Sequence, residues 1–191
     1  MQVEGIPIGA RNVETLYREA NVETRAAGRN WYREASRECI RMADDFAVPV
    51  TTVCGVVSAL SPQTRWWVNL RGAERLLEAY AAGLDGPPAG VTLYNSNAEK
   101  AWKIATGQLP LVDAFKPNTK TWAFYHNLRG DLDYITIDTW MLRALGDARK
   151  ALHPSQYRKA ASLIRQEALE FGELPAQFQA IVWLQVQSKG V

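Results

Sequence analysis

Apolar residues recur every three or four positions along almost the whole chain, and nowhere do they alternate convincingly over strand length. That regularity restricts the fold to helices, because a strand turns one face inward only with a period of two. The longest stripe, Trp31, Ala35, Cys39, Met42, Ala43 and Phe46, predicts a helix from about Thr24 to Phe46. Val48 to Leu60 is nearly all apolar or small and reads as a helix buried on most sides, ended by Ser61-Pro62. Thr64 to Ala82 carries the next stripe, Trp66, Leu70, Ala73, Leu77 and Tyr80. Shorter helices are expected at Asn12–Ala20, at Leu93–Ala105, after Lys120 and after Asp138. Ser155 is expected to cap another, with Tyr157, Ala161, Ile164 and Ala168 inward, and Pro175 to begin the last. Met1 to Ala10 reads as irregular, and Gly83 to Gly90, with three glycines and two prolines, as a loop. The expectation is an all-α protein of nine or ten helices.

A chain of 191 residues suits one domain, or two lobes sharing a core, and buries roughly two-thirds of its unfolded surface. Cys39 and Cys54 sit among apolar neighbours with no C-x-x-C spacing, which supports neither a zinc site nor a disulfide framework and suits a reducing compartment. No leader-like segment and no apolar run of membrane-spanning length is visible, so a cytoplasmic protein is expected. Twenty-two basic against twenty acidic residues leave a net charge of +2, so a nucleic-acid partner would need a local basic face. Arg25, Arg29, Arg33, Arg37 and Arg41 repeat every fourth residue on one side of the long helix. Such a ridge either meets phosphate or is a solvated face paired with acidic neighbours such as Glu34 and Glu38.

Two residues stand where helices are expected to start. Asp138 follows the β-branched, apolar run Tyr134-Ile-Thr-Ile and precedes Trp140, Met141, Ala144 and Leu145 at helical spacing, which makes it an N-cap. Lys120 lies eighteen positions upstream, behind the break at Pro117-Asn118. A carboxylate fixed beside an amine suits cleavage at an acetal-like carbon: the carboxylate stabilises developing oxocarbenium charge, and the amine, once neutral, attacks and forms a Schiff base. Neutrality requires desolvation or a neighbouring cation, for which Lys116 is the candidate. The ordinary alternative is a helix cap and a solvated lysine. With only His126 and His153 available, a serine-histidine-acid triad has little support, and no helix carries H-E-x-x-H or D-x-D spacing for a metal site.

Three stretches, in order, resemble the helix-hairpin-helix DNA glycosylase superfamily, its endonuclease III-like branch most of all. Val56-Val-Ser-Ala-Leu-Ser-Pro-Gln-Thr64, leading into Asn69-Leu-Arg-Gly-Ala-Glu-Arg-Leu, resembles an apolar helix ending in S-x-Q-x-T. Leu93-Tyr-Asn-Ser-Asn-Ala-Glu-Lys resembles L-Y-N-x-K-A-x-x-I. Lys120-Thr and then Ile137-Asp-Thr-Trp-Met-Leu-Arg-Ala-Leu-Gly146 resemble K-T-A and V-D-T-H-x-x-R-x-x-x-R. Together they span roughly residues 50 to 146, about half the chain.

The resemblance implies a two-lobed all-α fold with a degenerate helix-hairpin-helix: a central helical barrel with the hairpin over residues 46–134, and a second lobe from 1–45 and 135–191. It implies Lys120 as amine nucleophile, Asp138 as catalytic carboxylate and Gln63 as the side chain that fills the gap left by an extruded nucleotide. Arg65, Lys116, Asn118, Thr119 and Arg143 are the further candidates for DNA contact, and Trp66, Trp67, Tyr94, Tyr125 and Trp140 for stacking on the base. The chain departs from the family where L-P-G-V-G-x-K becomes Ala114-Phe-Lys-Pro-Asn-Thr-Lys120: both glycines are gone, and only Asn118 readily takes a left-handed conformation. The histidine after D-T is Trp140, and the four-cysteine iron-sulfur loop of some members is absent.

The implied function is a DNA base-excision glycosylase with AP lyase activity on a modified or damaged base, acting as a monomer on duplex DNA with one nucleotide extruded. No cofactor, iron-sulfur cluster, metal or membrane is expected to take part. The alternatives are a phage-type transferase joining an amino acid or polyamine to an activated thymine on the same fold, which would work in a bacterial host cytosol, and an inactive DNA-binding module.

Overall fold

The computed structural model of the protein describes residues 10–190, with side chains from residue 12 onward. Ten helices follow one another: α1 (Ala10–Glu19), α2 (Val22–Phe46), α3 (Val50–Leu60), α4 (Trp66–Ala81), α5 (Asn95–Ala105), α6 (Leu111–Ala114), α7 (Lys120–Leu128), α8 (Thr139–Ala144), α9 (Pro154–Glu170) and α10 (Pro175–Ser188). No strand occurs among the described residues, so the all-α expectation holds. The irregular stretch expected over Met1–Ala10 lies outside them, except that Ala10 opens α1. No single described helix is long and apolar enough to cross a membrane.

Local chemistry sets most helix ends. Asn21 caps α2, its side chain accepting the Thr24 amide at 2.8 Å. Pro49 precedes α3 and turns the chain through 118° from α2. The cap of α9 is His153 rather than Ser155, because Pro154 takes the first helical position, where its fixed φ suits the helix and its missing amide is not needed. Gln156 accepts the His153 amide at 3.1 Å and closes that end. The four-residue α6 has no counterpart among the expected helices, since one turn is too short to show a period.

The apolar interior divides into two clusters. The first collects α3, α4, α5 and most of α7 around Leu60, Leu76, Leu77 and Leu128, and it also takes Tyr32, Ala35, Cys39 and Met42 from α2. The second joins α1, α8, α9 and most of α10 around Leu145, Ile164, Phe178 and Ile181. Cys39 and Cys54 are both reduced and buried in the first.

α10 lies along α2 with the broadest helix contact among the described residues, and it adds Ala176 and Ala180 to the first cluster while filling the second. Gly28 permits the approach: a Cβ there would stand 2.4 Å from Ile181 Cγ1 and 2.7 Å from the Ile181 Cα. Buried within the contact, the Tyr32 hydroxyl donates to Gln179 Oε1 at 2.7 Å.

The arginine ridge of α2 is largely spent on the fold. Arg25 donates to the carbonyls of Tyr17, Arg18 and Ala20 at the end of α1. Arg29 grips Glu173, which also accepts the Tyr17 hydroxyl at 2.7 Å and so ties α1, α2 and the α9–α10 loop together. Burial alone would raise the Glu173 carboxyl, but the guanidinium and the hydroxyl together hold it below its usual range. Arg33 donates to Asn30 Oδ1 at 2.6 Å, and Arg41 joins Glu38, Asp45 and Glu74. The paired-face reading of this ridge therefore prevails, with Glu173 and Glu74 as partners from outside the helix.

In a helix interior alanine is favoured over glycine by about 0.5–1 kcal/mol, whereas overpacking costs about 1–3 kcal/mol. Gly28→Ala should accordingly lower the unfolding free energy in urea by about 1–2 kcal/mol. A midpoint equal to or above the parent's would show that α10 is not seated on α2 at this point.

Candidate active site

The segment that leads into Asp138 has no strand partner, so its backbone groups must be met by side chains. Two do this. Asn127, fully buried on α7, donates to the carbonyls of Asp131 and Tyr134, both at 2.9 Å, while its own oxygen accepts the Thr136 hydroxyl at 2.8 Å. Tyr157, from α9, donates to the Ile135 carbonyl at 2.7 Å and accepts the Ile137 amide at 3.0 Å. The extended run is thus clamped from both flanks, and Asp138 emerges at its end in a fixed place.

Asp138 is the N-cap of α8, as its sequence context predicts. Its Oδ1 accepts the Met141 amide at 2.9 Å, and its Oδ2 accepts Nε1–H of Trp183 at 2.9 Å, an indole contributed by α10. The two donors point the carboxylate and leave each oxygen with remaining acceptor capacity.

Lys120 opens α7 behind its own cap, Thr119, whose hydroxyl oxygen accepts the Trp122 amide at 3.4 Å and donates to the Lys116 carbonyl at 2.7 Å. α7 is tied to the end of α3: Ser58 donates to the Thr121 carbonyl at 2.7 Å, and the Lys120 ammonium donates to the Ser61 carbonyl at 3.3 Å. The amine is half-buried. Loss of water pushes its pKa below the ordinary lysine value, and the Asp138 charge opposes that shift only in part. The Asp138 charge is thus felt at the Lys120 amine, although no hydrogen bond or ion pair joins the two groups among the described residues. Burial depresses the amine; Lys116, the cation proposed for that role, lies instead near Lys100 and lowers that residue's pKa after desolvation has done so.

Trp183, which holds the Asp138 carboxylate, belongs to a group of four aromatic rings. Trp31 of α2 lies 5.4 Å from Trp66, 5.5 Å from Trp183 and 6.3 Å from Phe124, centroid to centroid. Because Trp31 and Trp66 pack on the first apolar cluster and Trp183 on the second, these rings span the seam between them. Of the aromatic residues proposed for stacking, only Trp66 belongs to this group. Trp67 is 68% exposed beside Arg41 and Glu74. Tyr125 is buried against Phe115, and Trp140 lies beneath the Arg143 guanidinium at 4.5 Å. Tyr94 donates its hydroxyl to Gln63 Oε1 at 2.8 Å. Trp31, Phe124 and Trp183 are not singled out by sequence, although seven tryptophans in 191 residues are a signal to ask which of them meet.

The elbow between α3 and α4 and the loop before α7 each hold a non-glycine residue in the left-handed region: Gln63 at φ 56° and Asn118 at φ 59°. Asn118 thus keeps the backbone bend that a glycine would otherwise supply. Gln63 has no such intrinsic ease, and its exposed side chain is held out by Tyr94. Arg65, at the cap of α4, and Lys116, in the loop before α7, are exposed. The described residues hold no cluster of histidine, cysteine, aspartate or glutamate that could bind a metal ion.

No curated protein and no solved structure matches the chain. One family model does, over residues 7–190, and its description is "Family of unknown function (DUF7178)". That match covers almost the full length, and the chain belongs to the DUF7178 family.

Proposed function

We propose that the protein is a DNA base-excision glycosylase with AP lyase activity, acting at the seam that Lys120 and Asp138 share. The observation that carries the reading is a half-buried lysine amine, its pKa lowered by loss of water and held up in part by the charge of Asp138, a carboxylate that two hydrogen bonds aim. A cap needs only the Met141 amide, and a structural lysine gains nothing from burial, so neither role accounts for both features. The three resembling stretches support the same residues on independent grounds, and Asn118 supports a hairpin that retains its bend without glycine.

In this reading an extruded nucleotide stacks against the Trp31, Trp66 and Trp183 group, whose rings part to admit it. The neutral amine of Lys120 forms a bond to the sugar C1′ as the C1′–base bond breaks, and the base leaves with that electron pair and takes up a proton. Asp138 stabilises the positive charge that develops on the sugar between the two events. Ring opening then gives an imine, and loss of a proton from C2′ expels the 3′ phosphate. The transferase alternative uses the same two groups but leaves no lysine–sugar bond.

Borohydride trapping on an abasic duplex tests this directly. The parent should form a covalent adduct, Lys120→Gln should form none, and binding should weaken only modestly in that variant. Asp138→Asn should slow base release by about two to three orders of magnitude, as for loss of a preorganised electrostatic group, with the fold intact because asparagine also caps. An adduct persisting in Lys120→Gln, or full activity in Asp138→Asn, would strip the two residues of their roles as nucleophile and charge stabiliser.

The pH dependence supplies a separate check. Since burial lowers the Lys120 pKa, the neutral fraction and the trapping rate should rise with pH and level off above a midpoint below the free lysine value of 10.5. The Asp138 charge holds the proton on, so Asp138→Asn should move that midpoint down. An upward shift would contradict the coupling.

Gln63→Gly should relieve the left-handed strain and raise the melting temperature slightly, while lowering activity on a paired base more than on a mismatched one, which is easier to extrude. Equal losses on both substrates would deny Gln63 a part in extrusion.

A further inference from the structure

A cavity of 260 Å³ opens between the hairpin and α9, lined by residues that include neither Lys120 nor Asp138. Asn118 stands at one side; Trp122 and Tyr134 form a wall; Arg158 and Arg165 reach in from α9. The wall is braced from behind, because His126 packs flat on Tyr134 with centroids 4.0 Å apart and Trp122 meets His126 edge-on at 4.4 Å.

The charges are unbalanced. The lining holds two guanidiniums and no carboxylate. Arg165 donates through Nη2 to the Asp133 carbonyl at 2.7 Å, which anchors it and leaves its other donors available. Arg158 is exposed and makes no hydrogen bond or ion pair with any described residue. A concave surface of this kind favours an anion with several acceptor oxygens, since a guanidinium fork matches phosphate oxygens in pairs. The flat aromatic wall favours a sugar or base attached to that phosphate over a bare ion.

Position narrows the choice further. Asn118, in its left-handed conformation, places the hairpin tip at the cavity's edge. A hairpin without glycine presents its backbone amides to a phosphate less closely, so a protein that holds DNA at this edge needs donors on side chains. We propose that this cavity is a DNA backbone clamp, in which Arg158 and Arg165 hold one phosphodiester beside the hairpin. The clamp rests on the proposal that the protein binds DNA but not on the chemistry proposed for it.

The test is fluorescence anisotropy of a duplex carrying a tetrahydrofuran abasic analogue, titrated over a range of salt. Arg158→Gln and Arg165→Gln should each lower the slope of log affinity against log salt by about one unit and weaken binding about tenfold at low salt. Arg71→Gln, an equal loss of charge on α4, should change neither. Arg158 has no partner among the described residues, so its variant isolates the clamp even if Arg165→Gln loosens the Asp133 loop. Inorganic phosphate, added at constant ionic strength, should compete only weakly, because it lacks the attached sugar.

Parent-like affinity and slope in Arg158→Gln would overturn the clamp. So would a parent that binds no duplex, or one whose melting temperature rises with inorganic phosphate through Arg158 while duplex is ignored, which would make the cavity a free-anion site. Arginine-dependent binding without a borohydride adduct keeps the clamp and loses the lyase; an adduct with no arginine dependence does the reverse.

Discussion

The whole arrangement hangs on the backbone of residues 131–137, which turns at 132–133 and then runs buried through 135–137 with no strand beside it. Left unpaired, each buried backbone group would cost on the order of 1–3 kcal/mol. Asn127 and Tyr157 settle four of these groups from opposite sides, and the Thr136 hydroxyl completes the set by donating back to Asn127. Each of the two anchoring residues sits on a different helix, so the segment also joins α7 to α9. Asp138 inherits its position from that network. Its capping bond to Met141 adds orientation, but the cap alone would leave the carboxylate free to follow a loop.

A second consequence of the packing is that the candidate site is shared among distant pieces of chain. The carboxylate is held by α10 through Trp183, the amine rests on the end of α3, and the rings grouped with Trp183 come from α2, α4 and α7. Helices are stiff over such lengths, and a shift of one relative to another alters several contacts at once. Gly28, by letting α2 and α10 touch at the backbone, sets the spacing on which Trp31 and Trp183 meet.

What the sequence reveals follows from how local each determinant is. Helix periodicity and the Asp138 cap depend on neighbours a few residues away, and both can be read directly. The burial of Lys120 cannot, because the carbonyl it reaches belongs to Ser61, 59 residues earlier. The arginine ridge of α2 is ambiguous in sequence for the same reason: one of its partners, Glu173, lies 144 residues from Arg29. Trp183 goes unmarked because α10 is apolar around most of its circumference, so no stripe distinguishes the ring that leans on a carboxylate from those that merely fill space. Trp31 is legible only as one member of a core stripe, since periodicity tells which face is buried and not what else is buried against it.

The indole of Trp183 also ties chemistry to the order in which the chain is made. A ribosome delivers Lys120 and Asp138 well before α10, and until that helix arrives α2 has an uncovered face and one oxygen of the carboxylate has no partner. A nascent or truncated chain can therefore carry both side chains without holding them in register. Completion of the fold, rather than appearance of the residues, is what assembles such a site.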